Sequence, residues 1–203
     1  GVVFDDGRFT DNNGGNAVNS CQDCHMPGHD GALCVFWEMP EVGLRKNIPE
    51  HSFVGSNSWV LGAVRNLYDD YETGLSEDSI ALNHQRTESL MQKASDMDLS
   101  QQVNQLRVRI TNMSGHSLPT GFPEGRRMWL NVKFLDGDGA IVAELGEYDW
   151  STADLSTEDT KVYEILVGMT SEMGKITGLP AGESFHLVLN NTVVSNNPIP
   201  PMG

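Results

Sequence analysis

Residues 21 to 25 read Cys-Gln-Asp-Cys-His within a stretch, residues 1 to 55, that is rich in Gly, Asn, Asp and Pro and shows no sustained apolar period. That pairing constrains the fold more than any other feature of the chain. Loops cannot assemble a core from their own side chains, so the segment needs an organiser that brings apolar area of its own. Cys-x-x-Cys-His is the means of holding one. Two thiols at this spacing form thioether bonds to the two vinyl groups of one porphyrin, and the adjacent imidazole turns to the iron as proximal ligand. Two other chemistries share the spacing. A thioredoxin-like dithiol wants a βαβ frame, and a zinc site wants two more Cys or His ligands close by; neither accompanies Cys21, Cys24 and His25. The expected cofactor is haem c, attached through Cys21 and Cys24 with His25 on the iron.

Charge and compartment follow from the same expectation. With 28 acidic against 13 basic residues the formal charge is −15, and haem propionates would add to it, which argues against nucleic acid as a partner and for a basic or neutral redox protein. No run of about 18 apolar residues could cross a membrane. Covalent haem attachment takes place outside the cytoplasm, so the expected location is the periplasm or the cell surface. The chain opens on Gly1-Val2-Val3-Phe4 with neither a charged nor an apolar leader region, from which a start upstream of Gly1 is expected. Cys34 is a third cysteine, read either as a buried thiol or as one half of a disulfide to another part of the protein.

The pattern turns helical near Ser56. Trp59, Val60, Ala63, Val64, Leu67, Tyr68 and Tyr71 recur at three- and four-residue steps, with capping side chains at Ser56 to Ser58 and a break at Gly74. Ser76 with Glu77 and Asp78 starts a second helix whose stripe is Ile80, His84, Thr87, Met91 and Ala94, expected to lie antiparallel to the first. After about residue 102 the period becomes two. Leu106, Val108 and Ile110 alternate with polar neighbours, as do Met128, Leu130, Val132 and Phe134; Asp136-Gly137-Asp138-Gly139 is hairpin turn chemistry rather than a calcium loop, and further strands are expected near 162–167 and 185–189. The predicted fold class is α+β: an irregular and helical haem-binding region over residues 1–101, then an antiparallel β-sandwich of immunoglobulin-like type over 102–203.

A haem with one protein ligand has a sixth position to fill, and six histidines are available. His116, in Gly115-His116-Ser117-Leu118-Pro119-Thr120-Gly121, stands on a loop stiffened by Gly and Pro, which suits an axial ligand; a loop histidine bonded to backbone is the alternative. His51 lies at the mouth of the first helix and is the second candidate. His84 falls on an apolar stripe, while His29 and His186 read as structural. None of the nine methionines stands out, so bis-histidine ligation is expected. Arg126 and Arg127, beyond the His116 loop, are candidates for pairing with haem propionates.

Taken together, Ser20-Cys21-Gln22-Asp23-Cys24-His25-Met26-Pro27, the segment His51 to Asn57, the His116 loop running into Arg126-Arg127-Met128-Trp129-Leu130, and the closing Asn197-Pro198-Ile199-Pro200-Pro201 resemble bacterial multihaem c-type cytochromes. The resemblance spans most of the chain in order. It implies several haems in contact, passing electrons along periplasmic or cell-surface routes, with His51 and His116 as axial ligands, of the same iron or of different ones. Members of that family carry further attachment motifs upstream, whereas one is present here, so the chain is expected to be a piece of a larger haem assembly with more haems than this motif can hold. The leading expectation is an electron carrier that docks with redox proteins or neighbouring haem subunits, with an oligomer or filament as a possible assembly. The alternative is an oxidoreductase acting on a small nitrogen or sulfur oxyanion or a peroxide at an open haem position.

Overall fold

The computed structural model describes residues 1–11, 14–31, 45–119, 124–183 and 188–202, in two compact units that divide after Met113. The chain is mixed in class, with helices and antiparallel strands in small sheets that form no closed barrel among the described residues. Among the described residues no helix is long and apolar enough to cross a membrane.

The first unit begins with β1 (Val2–Val3) paired to β2 (Ala17–Val18), and between them Phe4 and Phe9 meet edge-on at 5.2 Å, both buried. Arg8 ties this loop to chain almost ninety residues away. Its guanidinium takes both carboxylate oxygens of Asp96 at 2.9 and 2.8 Å and also donates to Asp6. Next come α1 (Cys21–His25) and a hairpin of β3 (Gly28–Gly31) and β4 (Arg45–Pro49), in register Gly28 to Pro49 and His29 to Ile48.

The first expected helix is two. α2 (Val60–Leu67) starts where the Asn57 carboxamide oxygen accepts from the amides of Trp59 and Val60, and it ends at Tyr68, whose backbone is extended. α3 (Asp70–Thr73) then follows Asp69, and Gly74 closes it at φ 67°. α4 (Glu77–Ala94) is capped as expected: Ser76 and Ser79 exchange side-chain and amide hydrogen bonds. Its inward stripe is Ile80, Asn83, Thr87, Leu90 and Ala94; His84 and Met91 turn to solvent. The expected antiparallel packing of the helices is absent, because the tie between them is at their ends, where Arg65 of α2 bonds Asp70 and Glu77. α4 runs directly into β5 (Ser95–Gln102), which pairs residue for residue with β6 (Gln105–Asn112). Val108 and Ile110 share a face of this hairpin with Leu99 and Met97, and the hairpin belongs to the first unit.

In the second unit the central strand is β12 (Val162–Met169), the most buried of all. β7 (Arg127–Trp129) pairs with its first half, while β13 (Gly182–Glu183) and β14 (Thr192–Asn196) pair with its second. The strand expected to run unbroken from Met128 to Phe134 changes partner at Leu130 and Asn131, then resumes as β8 (Val132–Leu135) against β9 (Ile141–Leu145). Side chains cause the break. The Thr160 hydroxyl takes the Leu130 carbonyl, and the Asn131 amide donates to Glu144 and to the carbonyls of Leu145 and Gly146, so no ladder can continue there. The β8–β9 turn is built as expected, with Asp136 accepting from Asp138 and Ala140 and Gly139 at φ 84°. Its carboxylate therefore serves the turn. β10 (Tyr148–Asp149) and β11 (Asp154–Leu155) form a separate hairpin, and α5 (Ser171–Thr177) is capped by Thr170. The strand expected at 185–189 falls largely on residues outside the described set.

Gly146 is buried, adopts φ 66°, and has room for no side chain: a Cβ there would lie 2.3 Å from the Leu130 carbonyl. Gly146→Ala combines a left-handed conformation with overpacking and should lower stability by about 3 kcal/mol, read as a shift in the urea midpoint.

Candidate functional site

α1 is one turn and a half long, too short to form on its own propensity, and it is fixed at both ends. At the start the Asp23 carboxylate accepts from the amides of Asn19 and Ser20, both at 2.9 Å. This places acidic charge where the amides are unpaired. At the end the Met26 amide donates to the Gln22 carbonyl at 2.8 Å, and Met26 itself is buried. The chain then leaves through β3 and returns through β4, so that residues 50–54 lie alongside the helix end; the Glu50 amide donates to the Pro27 carbonyl at 3.0 Å.

Val54 and His25 are joined twice. The Val54 amide donates to the His25 carbonyl at 3.1 Å, and the Val54 carbonyl lies 2.5 Å from His25 Nδ1. A carbonyl only accepts, so Nδ1 carries the proton and Nε2 carries the lone pair. An imidazole so held is a base and a metal ligand with its ring plane set, which is the arrangement that outer contacts give to metal-bound histidines. Val54 is only 4% exposed, which shields the contact from water.

Cys21 is exposed and Cys24 half-buried, and both carry free thiols. Burial, and then the neighbouring charge of Asp23, push the Cys24 thiol up from its ordinary 9.0 to about 11, with Lys93 opposing. Lys93 and Arg86 show which face of α4 looks toward the motif: Arg86 forms an ion pair with Glu50 at the base of the 50–54 segment. Thr87, next in α4, is 5% exposed, and its hydroxyl has no hydrogen-bond partner among the described residues. A buried hydroxyl so placed is a polar group in want of a partner that the described residues do not supply.

His51 is exposed and stacks on Phe53 at 5.9 Å, with 24° between the rings. Phe53 has φ 45° and is 71% exposed, so a non-glycine residue in the left-handed region holds a large ring in water one residue from Val54. His84 and His29 are exposed, whereas His186 and Cys34 lie outside the described residues.

The remaining candidates belong to the second unit. His116 is exposed on a loop anchored by Leu118 and Ile199, which exchange amide-to-carbonyl bonds at 2.9 and 2.7 Å. Its Nδ1 is 3.3 Å from both the Ser114 hydroxyl and the Ser117 carbonyl. Contact with that carbonyl again puts the proton on Nδ1 and the lone pair on Nε2. Arg126 and Arg127 are exposed; Arg127 donates to the Ala153 carbonyl at 3.3 Å and lies 6.0 Å from the ring centroids of Trp129 and Tyr148. Among the described residues no three His, Cys, Asp or Glu side chains converge on a point, so Cys21, Cys24 and His25 do not form a closed chelate. Their disposition, two thiols along one turn and an imidazole fixed at its end, suits a ligand that takes sulfur at its edge and nitrogen at its centre. Val54, Arg86 and Thr87 were not legible as site residues, since their roles arise from contacts across 29 or more residues of chain.

Comparison with family models, with curated proteins and with solved structures gives no match.

For the polypeptide with free thiols, a raised Cys24 pKa means that the folded chain keeps a proton that the unfolded chain has already released. Stability is therefore full below pH 9.0 and falls as pH rises toward about 11. Denaturant melts across that range should show the loss, and Cys24→Ser should remove it. At pH 8 iodoacetamide should label Cys21 well before Cys24, read by peptide mass.

Proposed function

We propose that this chain is an extracytoplasmic c-type cytochrome that transfers electrons, with haem attached through Cys21 and Cys24 and ligated by His25. The observation that carries the reading is the His25 to Val54 clamp beside the two thiols. It fixes the plane of one ring and puts the proton on Nδ1, leaving Nε2 as the nitrogen with a lone pair. An iron porphyrin bound there would supply one-electron exchange between the ferric and ferrous states.

The chain's own residues do the rest. Asp23 holds the helix start and so the spacing of the two sulfurs; Val54 fixes the tautomer and plane of His25; Arg86 and Glu50 hold the returning segment in place. The exposed Phe53 ring and the Thr87 hydroxyl, which lacks a partner among the described residues, support a bulky prosthetic group with both apolar and polar contacts in this unit. His116 and His51 are the proposed sixth ligands, on this iron or on others, because both are exposed imidazoles on anchored loops. His116 in addition has its Nδ1 against a carbonyl. Arg126 and Arg127 are the proposed propionate partners. In the fuller form of the reading, residues 1–101 are the haem-binding region, the strands after it belong to an immunoglobulin-like sandwich, and the chain is part of a multihaem conduit in the periplasm or at the cell surface, meeting redox proteins or neighbouring haem subunits, in an oligomer or filament where those subunits are copies of itself.

The test is covalent haem and its spin state. The purified protein should keep haem through a denaturing gel and give the pyridine haemochrome of a c-type centre, both lost when Cys21 and Cys24 are changed to Ser. A chain that binds no haem, or releases it on denaturation, overturns the proposal. Its spectrum should be six-coordinate low-spin and indifferent to carbon monoxide or cyanide; a high-spin spectrum that shifts with cyanide would favour an oxidoreductase instead. His116→Ala should turn one low-spin haem high-spin, and a spectrum unchanged by it assigns the sixth position elsewhere.

A further inference from the structure

Three aromatic rings run outward through the second unit to solvent. Trp129 is fixed by its indole N–H, which donates to the Gly146 carbonyl at 3.1 Å. Tyr148 lies tilted against it with centroids 5.3 Å apart, and Trp150 meets Tyr148 edge-on at 4.8 Å. Trp150 ends the row 86% exposed.

The turn that presents Trp150 is not a loose one. It joins β10 to β11, and within it Asp149 accepts from the amide and the hydroxyl of Ser151 at 2.8 and 2.6 Å. The Arg127 guanidinium braces its far side through the Ala153 carbonyl. A braced turn cannot fold its indole away, so the apolar face stays hydrated until something covers it. Apart from the Arg127 brace, the chain that forms and flanks this turn carries one sign of charge. Glu147, Asp149, Asp154, Glu158 and Asp159 are all exposed, and no basic residue lies between 147 and 159. Two cations of this unit are engaged with rings, Lys161 over Tyr163 at 5.1 Å and Arg127 over Trp129 and Tyr148.

We propose that the Trp150 turn is the docking surface for a basic partner protein, with a partner lysine or arginine lying on the Trp150 ring and its neighbours pairing with the carboxylates around it. The composition suits the role. Trp, Tyr and Arg supply most binding energy at protein interfaces, an indole is the best cation–π acceptor, and a rim of one sign steers an oppositely charged partner to the site. A chain of charge −15 attracts basic proteins in general, so what the proposal adds is the place. Tyr71 offers the comparison: it is 98% exposed and flanked by Asp69, Asp70 and Glu72, but one of those carboxylates is already taken by Arg65.

The proposal is independent of haem. The experiment is calorimetric titration of the purified full chain with a lysine-rich monohaem cytochrome c and with its lysine-acetylated form, at low and at physiological ionic strength. The unmodified probe should bind, more weakly as salt rises, and the acetylated one should not. Trp150→Ala should weaken binding about tenfold or more, Trp150→Phe should keep most of it, and Asp154→Asn with Glu158→Gln should reduce both affinity and salt dependence. Tyr71→Ala should leave the affinity as it was. Absence of binding, equal binding of the acetylated probe, a Trp150→Ala protein that binds like the original, or an equal loss with Tyr71→Ala would each overturn the assignment.

Discussion

The two bonds between His25 and Val54 hold together what the first unit has to present. One runs from the Val54 amide to the His25 carbonyl and the other from the His25 ring to the Val54 carbonyl, so helix end and returning loop are fixed relative to each other in both position and rotation. Neither part would be ordered alone. The helix is five residues long, and the loop carries Phe53 in a backbone conformation that a side chain disfavours. Hydrogen bonds between backbone and ring are worth most where water is kept out, and Val54 and Met26 are among the few buried side chains of the unit.

That scarcity of buried side chains runs through the molecule. No described side chain is fully buried, while Phe53, Trp59, Leu67, Tyr71 and Trp150 are each at least 70% exposed. The two units resolve their small cores with polar staples. Arg8 joins the first loop to the start of β5, Arg65 joins α2 to α3 and α4, and Arg86 joins α4 to Glu50. In the second unit the staples are hydrogen bonds donated by Asn131 and Thr160 and one accepted by Asp159 from the Gly146 amide, which turn one potential strand into two that serve different sheets. A polypeptide that uses bonds where others use apolar contact is suited to completion by a large apolar group, and the proposed haem is such a group.

The same economy separates the proposed roles of the units. The first carries the attachment motif and an imidazole oriented by backbone. The second carries His116 on a braced loop and, elsewhere, an aromatic row in an acidic setting. One arrangement is suited to holding a metal centre and the other to meeting a partner, and both depend on rigid presentation of a single side chain.

The amino-acid sequence by itself determined the features that act over a few residues. The Ser76 cap, the Gly74 stop, the Asp136 to Gly139 turn, the alternation at Val108 and Ile110, and the spacing of Cys21, Cys24 and His25 were all legible, because caps, turns and periods are set by neighbours within one turn of helix or a pair of strand residues. The helix expected from Trp59 to Tyr71 ends at Tyr68, whose backbone is extended, and a separate turn of helix begins after Asp69. Tertiary structure alone decided which carbonyl meets His25, which face of α4 turns inward, where the strand after Met128 changes sheets and why position 146 must be glycine. Each of those depends on chain brought together from 13 to 36 residues away, and no periodicity encodes a partner at that distance.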